Sequence, residues 1–148
     1  MPSPIKRTTA RISRFAGLAL LMLALMAPLA SARVVIDSYT RIFVDEKEPG
    51  PIQKAVSDLA RDCEAVFGQR LQVVHNAAAA AAGSAIWVAL KGPLPQGIER
   101  PTGWERFLIQ TVESPSPGFS PVAAVVLTGS DVRGTIYAIY QFSQQFLG

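Results

Sequence analysis

The stretch that most constrains this chain lies near its end, where Val122-Ala-Ala-Val-Val-Leu-Thr128 runs into Gly129-Ser-Asp-Val-Arg-Gly-Thr-Ile-Tyr and on to Gly148. A nearly unbroken apolar run reads as a strand covered on both faces. A polar turn and an amphipathic helix follow, the helix starting at about Arg133 with Ile136, Ile139, Tyr140, Ser143 and Phe146 or Leu147 on its buried side. Strand, turn and helix in this order normally hand the chain to another element. The expectation is therefore a domain border or truncation at Gly148, with chemistry encoded further along.

The opposite end belongs to no fold. Lys6, Arg7, Arg11 and Arg14 make a positive start, Ala16 to Leu29 is uncharged and apolar, and Ala30-Ser31-Ala32 supplies small residues at a cleavage site. Residues 1–32 read as a signal peptide cut between Ala32 and Arg33, which directs the protein to the periplasm or outside the cell. The apolar run is shorter than the ~20 residues that span a bilayer, so no stable membrane anchor is expected. No arginine pair precedes it, which favours the general secretory route.

Removing this segment changes the charge. Four of the 14 Lys and Arg lie in residues 1–32 and none of the 11 Asp and Glu do, so ten cations face eleven carboxylates in the rest, a net charge near −1. A basic face for nucleic acid is missing, and no nucleic-acid partner is expected. Cys63 is the single cysteine, so no intrachain disulfide can form and the core must hold the domain. It falls on the apolar side of a predicted helix, where cysteine acts as a small hydrophobe. The single histidine, His75, stands elsewhere. One His and one Cys far apart make no metal site, and no cofactor is expected.

Between these ends the pattern gives short extended segments at Val34–Asp37 and Arg41–Val44, then a charged Pro/Gly loop at Asp45–Pro51. A helix follows, with Ile52, Ala55, Val56, Leu59, Cys63, Val66 and Phe67 on one side and Gly68 as its C-cap. Leu71–His75 and Ala85–Leu90 read as strands around a run of six alanines, a surface connection with room for one helical turn. Lys91–Gly103 reads as a long loop. Trp104–Glu113 reads as a strand forming an antiparallel hairpin with Val122–Thr128 across a proline-rich turn. The sum is an α+β two-layer sandwich: a small mixed sheet of about five strands with two main helices on one face.

Chemistry is thinly signalled. Gly129 and Gly134 are spaced like the glycines of a phosphate-binding loop, but Thr135 stands where that loop needs lysine. Ser130 and Asp131 are the helix-cap candidates, with Gly134 permitting close packing. Arg133 is the candidate for contact with a carboxylate substrate or a neighbouring domain, against a plain internal salt bridge to Asp131 or an acidic loop residue. Trp87 reads as core. Trp104 borders the Pro/Gly loop, with a core or interface role favoured over stacking on a sugar ring. No catalytic carboxylate pair can be chosen from the spacing.

The segment Gly129-Ser-Asp-Val-Arg-Gly-Thr-Ile-Tyr-Ala-Ile-Tyr-Gln-Phe-Ser-Gln-Gln resembles the end of the N-terminal domain of glycoside hydrolase family 115, the xylan α-1,2-glucuronidases. The Ala55–Leu59 helix segment and Trp104-Glu-Arg-Phe-Leu-Ile-Gln110 resemble the same domain, and Ala138 departs from it where glycine is expected. The resemblance implies that residues 33–148 are a non-catalytic N-terminal accessory domain of a secreted glucuronidase-like enzyme acting on glucuronoxylan. It implies a downstream (β/α)8 barrel of the same polypeptide as the partner. It also implies an inverting pair of carboxyl groups about 6.5–9.5 Å apart within that barrel. No catalytic residue carries over to these positions, and the chain alone is expected to be inactive. The alternative is a free-standing exported carbohydrate-binding or interaction module.

Overall fold

Strand β5 (Ala123–Gly129) is buried at every position, as its uncharged sequence requires. The structure, a computed structural model, describes residues 33–113 and 123–148. All of these belong to one compact unit. The signal-peptide segment and Ala32 lie outside the described residues, as do the proline-rich turn and Val122.

The order is β1 (Arg41–Val44), α1 (Gly50–Phe67), β2 (Gln72–Val74), a short 3-10 helix (Ala77–Ala82), β3 (Ala85–Ala89), β4 (Phe107–Glu113), β5 and α2 (Val132–Phe142). The five strands lie in the order β2-β1-β3-β5-β4. β2, β1, β3 and β5 run parallel, and β4 closes the edge as the antiparallel partner of β5, with Phe107 opposite Gly129 and Glu113 opposite Ala123. This is an α+β sandwich with a mixed five-stranded sheet.

Alternation along the strands divides the core in two. Ile42, Val44, Ile86, Val88, Val125 and Leu127 face the helices, where Ile52, Val56, Leu59, Cys63, Ala138 and Ile139 meet them. Phe43, Ala85, Trp87, Ala89, Ala124 and Val126 face the other way. There the 3-10 helix and the loop after β3 cover them with Ala80, Leu94 and Ile98. The rings of Phe43 and Trp87 pack 4.1 Å apart, and the Trp87 indole N–H donates to the carbonyl of Pro93 at 3.0 Å.

Pro51 lies in the first turn of α1, where a missing N–H costs nothing, and Gly68 ends the helix at φ +70°, its N–H donating to Glu64. Polar contacts join the two helices on their outer side. Asp58 accepts from Lys54, Arg61 and the Tyr140 hydroxyl, and Asp62 accepts from Ser143 at 2.6 Å. The Lys54 hydrogen bond foremost holds the Asp58 carboxyl below its usual range.

Three expectations are corrected. Val34–Asp37 forms no strand, because Asp37 turns the chain: its side chain accepts from the N–H groups of Tyr39 and Thr40, and Val34 and Ile36 pack half-buried on the helical side. β4 begins at Phe107, leaving Trp104–Arg106 in the preceding turn. Tyr140 is exposed whereas Phe142 is buried, and of Phe146 and Leu147 it is Leu147 that packs against the core, because α2 is seated by its small residues Gly134 and Ala138 and opens into a wider π turn over Ser143–Leu147. Among the described residues no helix is long and apolar enough to cross a membrane.

Burial foremost, with the Asp62 carboxylate adding to it, pushes the Cys63 thiol up from 9.0 to about 11. The unfolded thiol therefore ionises first as pH rises. This contribution to stability is complete below pH 9.0 and is lost between there and about 11. The expected outcome is a fall in the wild-type urea midpoint across that window that is shallower in Cys63→Ala. The native thiol should also resist a thiol reagent near pH 8 until the chain is unfolded.

Candidate functional site

The turn from β5 into α2 is built from backbone amides and one carboxylate. Asp131 adopts an extended conformation at the N-cap and accepts from the N–H of Gly134 at 2.8 Å through Oδ1. Through Oδ2 it accepts from the N–H of Glu105, also at 2.8 Å. Ser130 lies beside it and faces the segment that leads into β4: its N–H donates to the carbonyl of Arg106 at 2.9 Å, and its hydroxyl accepts from the Arg106 N–H at 3.0 Å. The Gly134 amide foremost, then that of Glu105, holds the Asp131 carboxyl below its ordinary 3.8.

Two glycines make this approach possible. A Cβ on Gly134 would sit 2.3 Å from the carbonyl oxygen of Arg106, and one on Gly129 would sit 2.2 Å from the Thr135 nitrogen. Both obstacles are backbone, which cannot step aside. The spacing that resembles a phosphate-binding loop is thus accounted for by close packing.

Arg133 projects from the first turn of α2 and pairs with Glu105 at 2.7 Å, its side chain 67% exposed. Its partner is thus the loop acid and not Asp131. Glu105 stands at φ +52°, the one described non-glycine residue with positive φ. Trp104 beside it is 79% exposed, which removes it from the core and leaves the interface half of that expectation and stacking on a sugar ring. Trp104, Glu105, Asp131, Val132 and Arg133 line a shallow cavity of about 320 Å³. Trp87, by contrast, is core. Arg33, next to the expected cleavage point, is exposed.

A second polar cluster escaped sequence reasoning. Glu48, 4% exposed, sits in the loop after β1, and its Oε1 accepts from the successive N–H groups of Leu90, Lys91 and Gly92, each at 2.8 Å. All three donors are backbone and lie 42 to 44 residues away, so no side-chain spacing announces them. His75 directs Nδ1 to the carbonyl of Val44 at 2.8 Å. Among the described residues no group of three or more His, Cys, Asp or Glu is placed to hold a metal ion.

No protein-family model matches the chain, and no curated protein matches it. Among solved structures, its fold is similar to part of a family GH115 4-O-methyl-alpha-glucuronidase, BtGH115A, with specificity for decorated arabinogalactans. The TM-score is 0.55 at 21% identity, over 76% of this chain and 14% of that one. The likeness is one of fold, and the chain spans about one seventh of that enzyme's length.

Two substitutions separate steric from electrostatic roles at this turn. Gly134→Ala forces backbone apart and is expected to cost about 1–3 kcal/mol. Arg133→Ala removes an exposed ion pair and is expected to cost less than about 1 kcal/mol. Urea unfolding of the two variants checks the order.

Because the native Asp131 carboxyl titrates below 3.8, its contribution is complete above that value and is lost as pH falls through the native pKa. Asp131→Asn keeps an oxygen for Gly134 but loses the bond from Glu105. It should be less stable than wild type at neutral pH, with the gap narrowing below about pH 4. Thermal midpoints measured across that range test this.

Proposed function

We propose that residues 33–148 are the non-catalytic N-terminal domain of an exported glucuronidase-like glycoside hydrolase, packed against a catalytic barrel downstream in the same polypeptide. The observation that carries this reading is the fold likeness itself. It extends over 76% of this chain yet occupies 14% of that enzyme, so that most of the enzyme's length lies outside the likeness. The resemblance of the Gly129–Gln145 segment to the end of the N-terminal domain in the same family points the same way.

The substrate proposed for the full-length enzyme is a glucuronic or 4-O-methylglucuronic acid side chain, with glucuronoxylan as its carrier. The similar enzyme acts on decorated arabinogalactans, so the constant element is the uronic acid and the polysaccharide backbone is the variable one. Residues 1–32 are proposed as the export signal, placing the domain in the periplasm or outside the cell. In this reading the turn holding Arg133 and Asp131 shapes the scaffold and takes no part in hydrolysis.

A free-standing carbohydrate-binding module is the second reading, favoured by the exposure of Trp104 next to Arg133 and Glu105. An aromatic face beside a cation suits a sugar acid.

Three measurements test these readings, and the third divides them. N-terminal sequencing of the exported protein should begin at Arg33. The chain by itself should release no uronic acid from glucuronoxylan; release would sink the accessory-domain reading. Calorimetric titration with glucuronic-acid-bearing xylo-oligosaccharides should show no saturable binding, whereas saturation abolished by Trp104→Ala establishes the module instead.

A further inference from the structure

In an open sheet with parallel strands, the ligand crevice lies beyond the carboxyl ends of the strands where successive connections leave in opposite directions. Here that point falls between β1 and β3, since β2 lies on one side of β1 and β3 on the other. The residues found there are the Asp45–Glu48 turn after β1 and Leu90–Gly92 after β3. Three successive amides converge on one point, which is a nest for an anion. Asp45, Lys47, Glu48, Lys91, Gly92 and Pro93 line a cavity of about 390 Å³ around it.

We propose that this crevice is a small-anion site, of the size and charge of a carboxylate, which the chain occupies permanently with its own Glu48. Four observations agree. Oε1 accepts from all three amides at 2.8 Å, the short distance of charge-assisted bonds. Glu48 is buried, although a loop glutamate next to solvent is free to extend outward. Its Oε2 is buried with no hydrogen-bond partner among the described residues, so the amide nest is what holds the carboxyl group inside. A Cβ on Gly92 would come within 3.3 Å of both Oε1 and the Asp45 Cβ, so the nest is closed tightly over its occupant. The occupant joins two loops that no backbone hydrogen bond connects directly among those described. Removing it should leave a nest that takes a free carboxylate in its place.

The test compares the full chain as wild type, Glu48→Ala and Glu48→Gln in sodium formate and in sodium chloride of equal ionic strength. Glu48→Ala should lower the thermal midpoint by more than about 5 °C in chloride. Formate should restore part of that loss saturably and shift the amide resonances of Leu90, Lys91 and Gly92, while leaving the wild type unmoved. Glu48→Gln, which keeps an oxygen in the nest, should fall between the two and gain nothing from formate. If formate raises Glu48→Ala no more than it raises the wild type, the proposal is wrong. Should Glu48→Ala be unfolded in chloride, recovery of structure in formate supports the proposal and failure to fold in both salts overturns it.

Discussion

The whole arrangement turns on one approach of backbone to backbone, where the first turn of α2 lies against the carbonyl of Arg106. No side chain separates them, because Gly134 has none and the space for one is already filled. This contact brings together the end of β5, the start of β4 and the start of α2. From it follow the seating of Ala138 and Ile139 on the sheet, the phase of the buried helix face and the outward direction of Tyr140. A helix docked one methyl group farther out would have to give up either the Asp131 cap or the packing of Ile139.

The carboxyl ends of three of the four parallel strands, β1, β3 and β5, are closed by acidic side chains that bind backbone amides. Asp131 serves β5 and the start of β4, and Glu48 serves β1 and β3. In each case one carboxyl group replaces several hydrogen bonds that a loop would otherwise owe to water or to a ligand. A sheet that uses this end to fasten its own loops is suited to a scaffold. That suits the proposed role as an accessory domain.

The elements were legible in the sequence because their patterns are local. A period near 3.6 marked α1, a nearly unbroken apolar run marked β5, and Gly68 marked the end of α1 where φ is positive. The antiparallel pairing of β4 with β5 was legible from the turn residues between them. What stayed hidden depends on contacts distant in sequence. Nothing in Asp45–Pro51 distinguishes Glu48 from Glu46, since the amides that capture it belong to another loop. The pattern left Trp104 between core and interface, because its exposure depends on the conformation of its neighbour Glu105. Val34–Asp37 had the composition of a strand, but Asp37 hydrogen-bonds its own following amides and ends the extended run first.

The conformation of Glu105 explains why Trp104 stays outside the core. Glu105 at φ +52° occupies a conformation unfavourable to a residue with a Cβ. Its N–H is held by Asp131 and its carboxylate by Arg133, so the strained backbone is pinned from both ends by the start of α2. Relaxing Glu105 would break the bond that helps keep the Asp131 carboxyl ionised at the helix cap. The cap, the strain and the outward tryptophan are therefore one linked feature. The face opposite the helices is already covered by the 3-10 helix and the loop after β3. The surfaces left open include the helical layer, polar where Lys54, Asp58 and Arg61 pair, and the aromatic projection at Trp104.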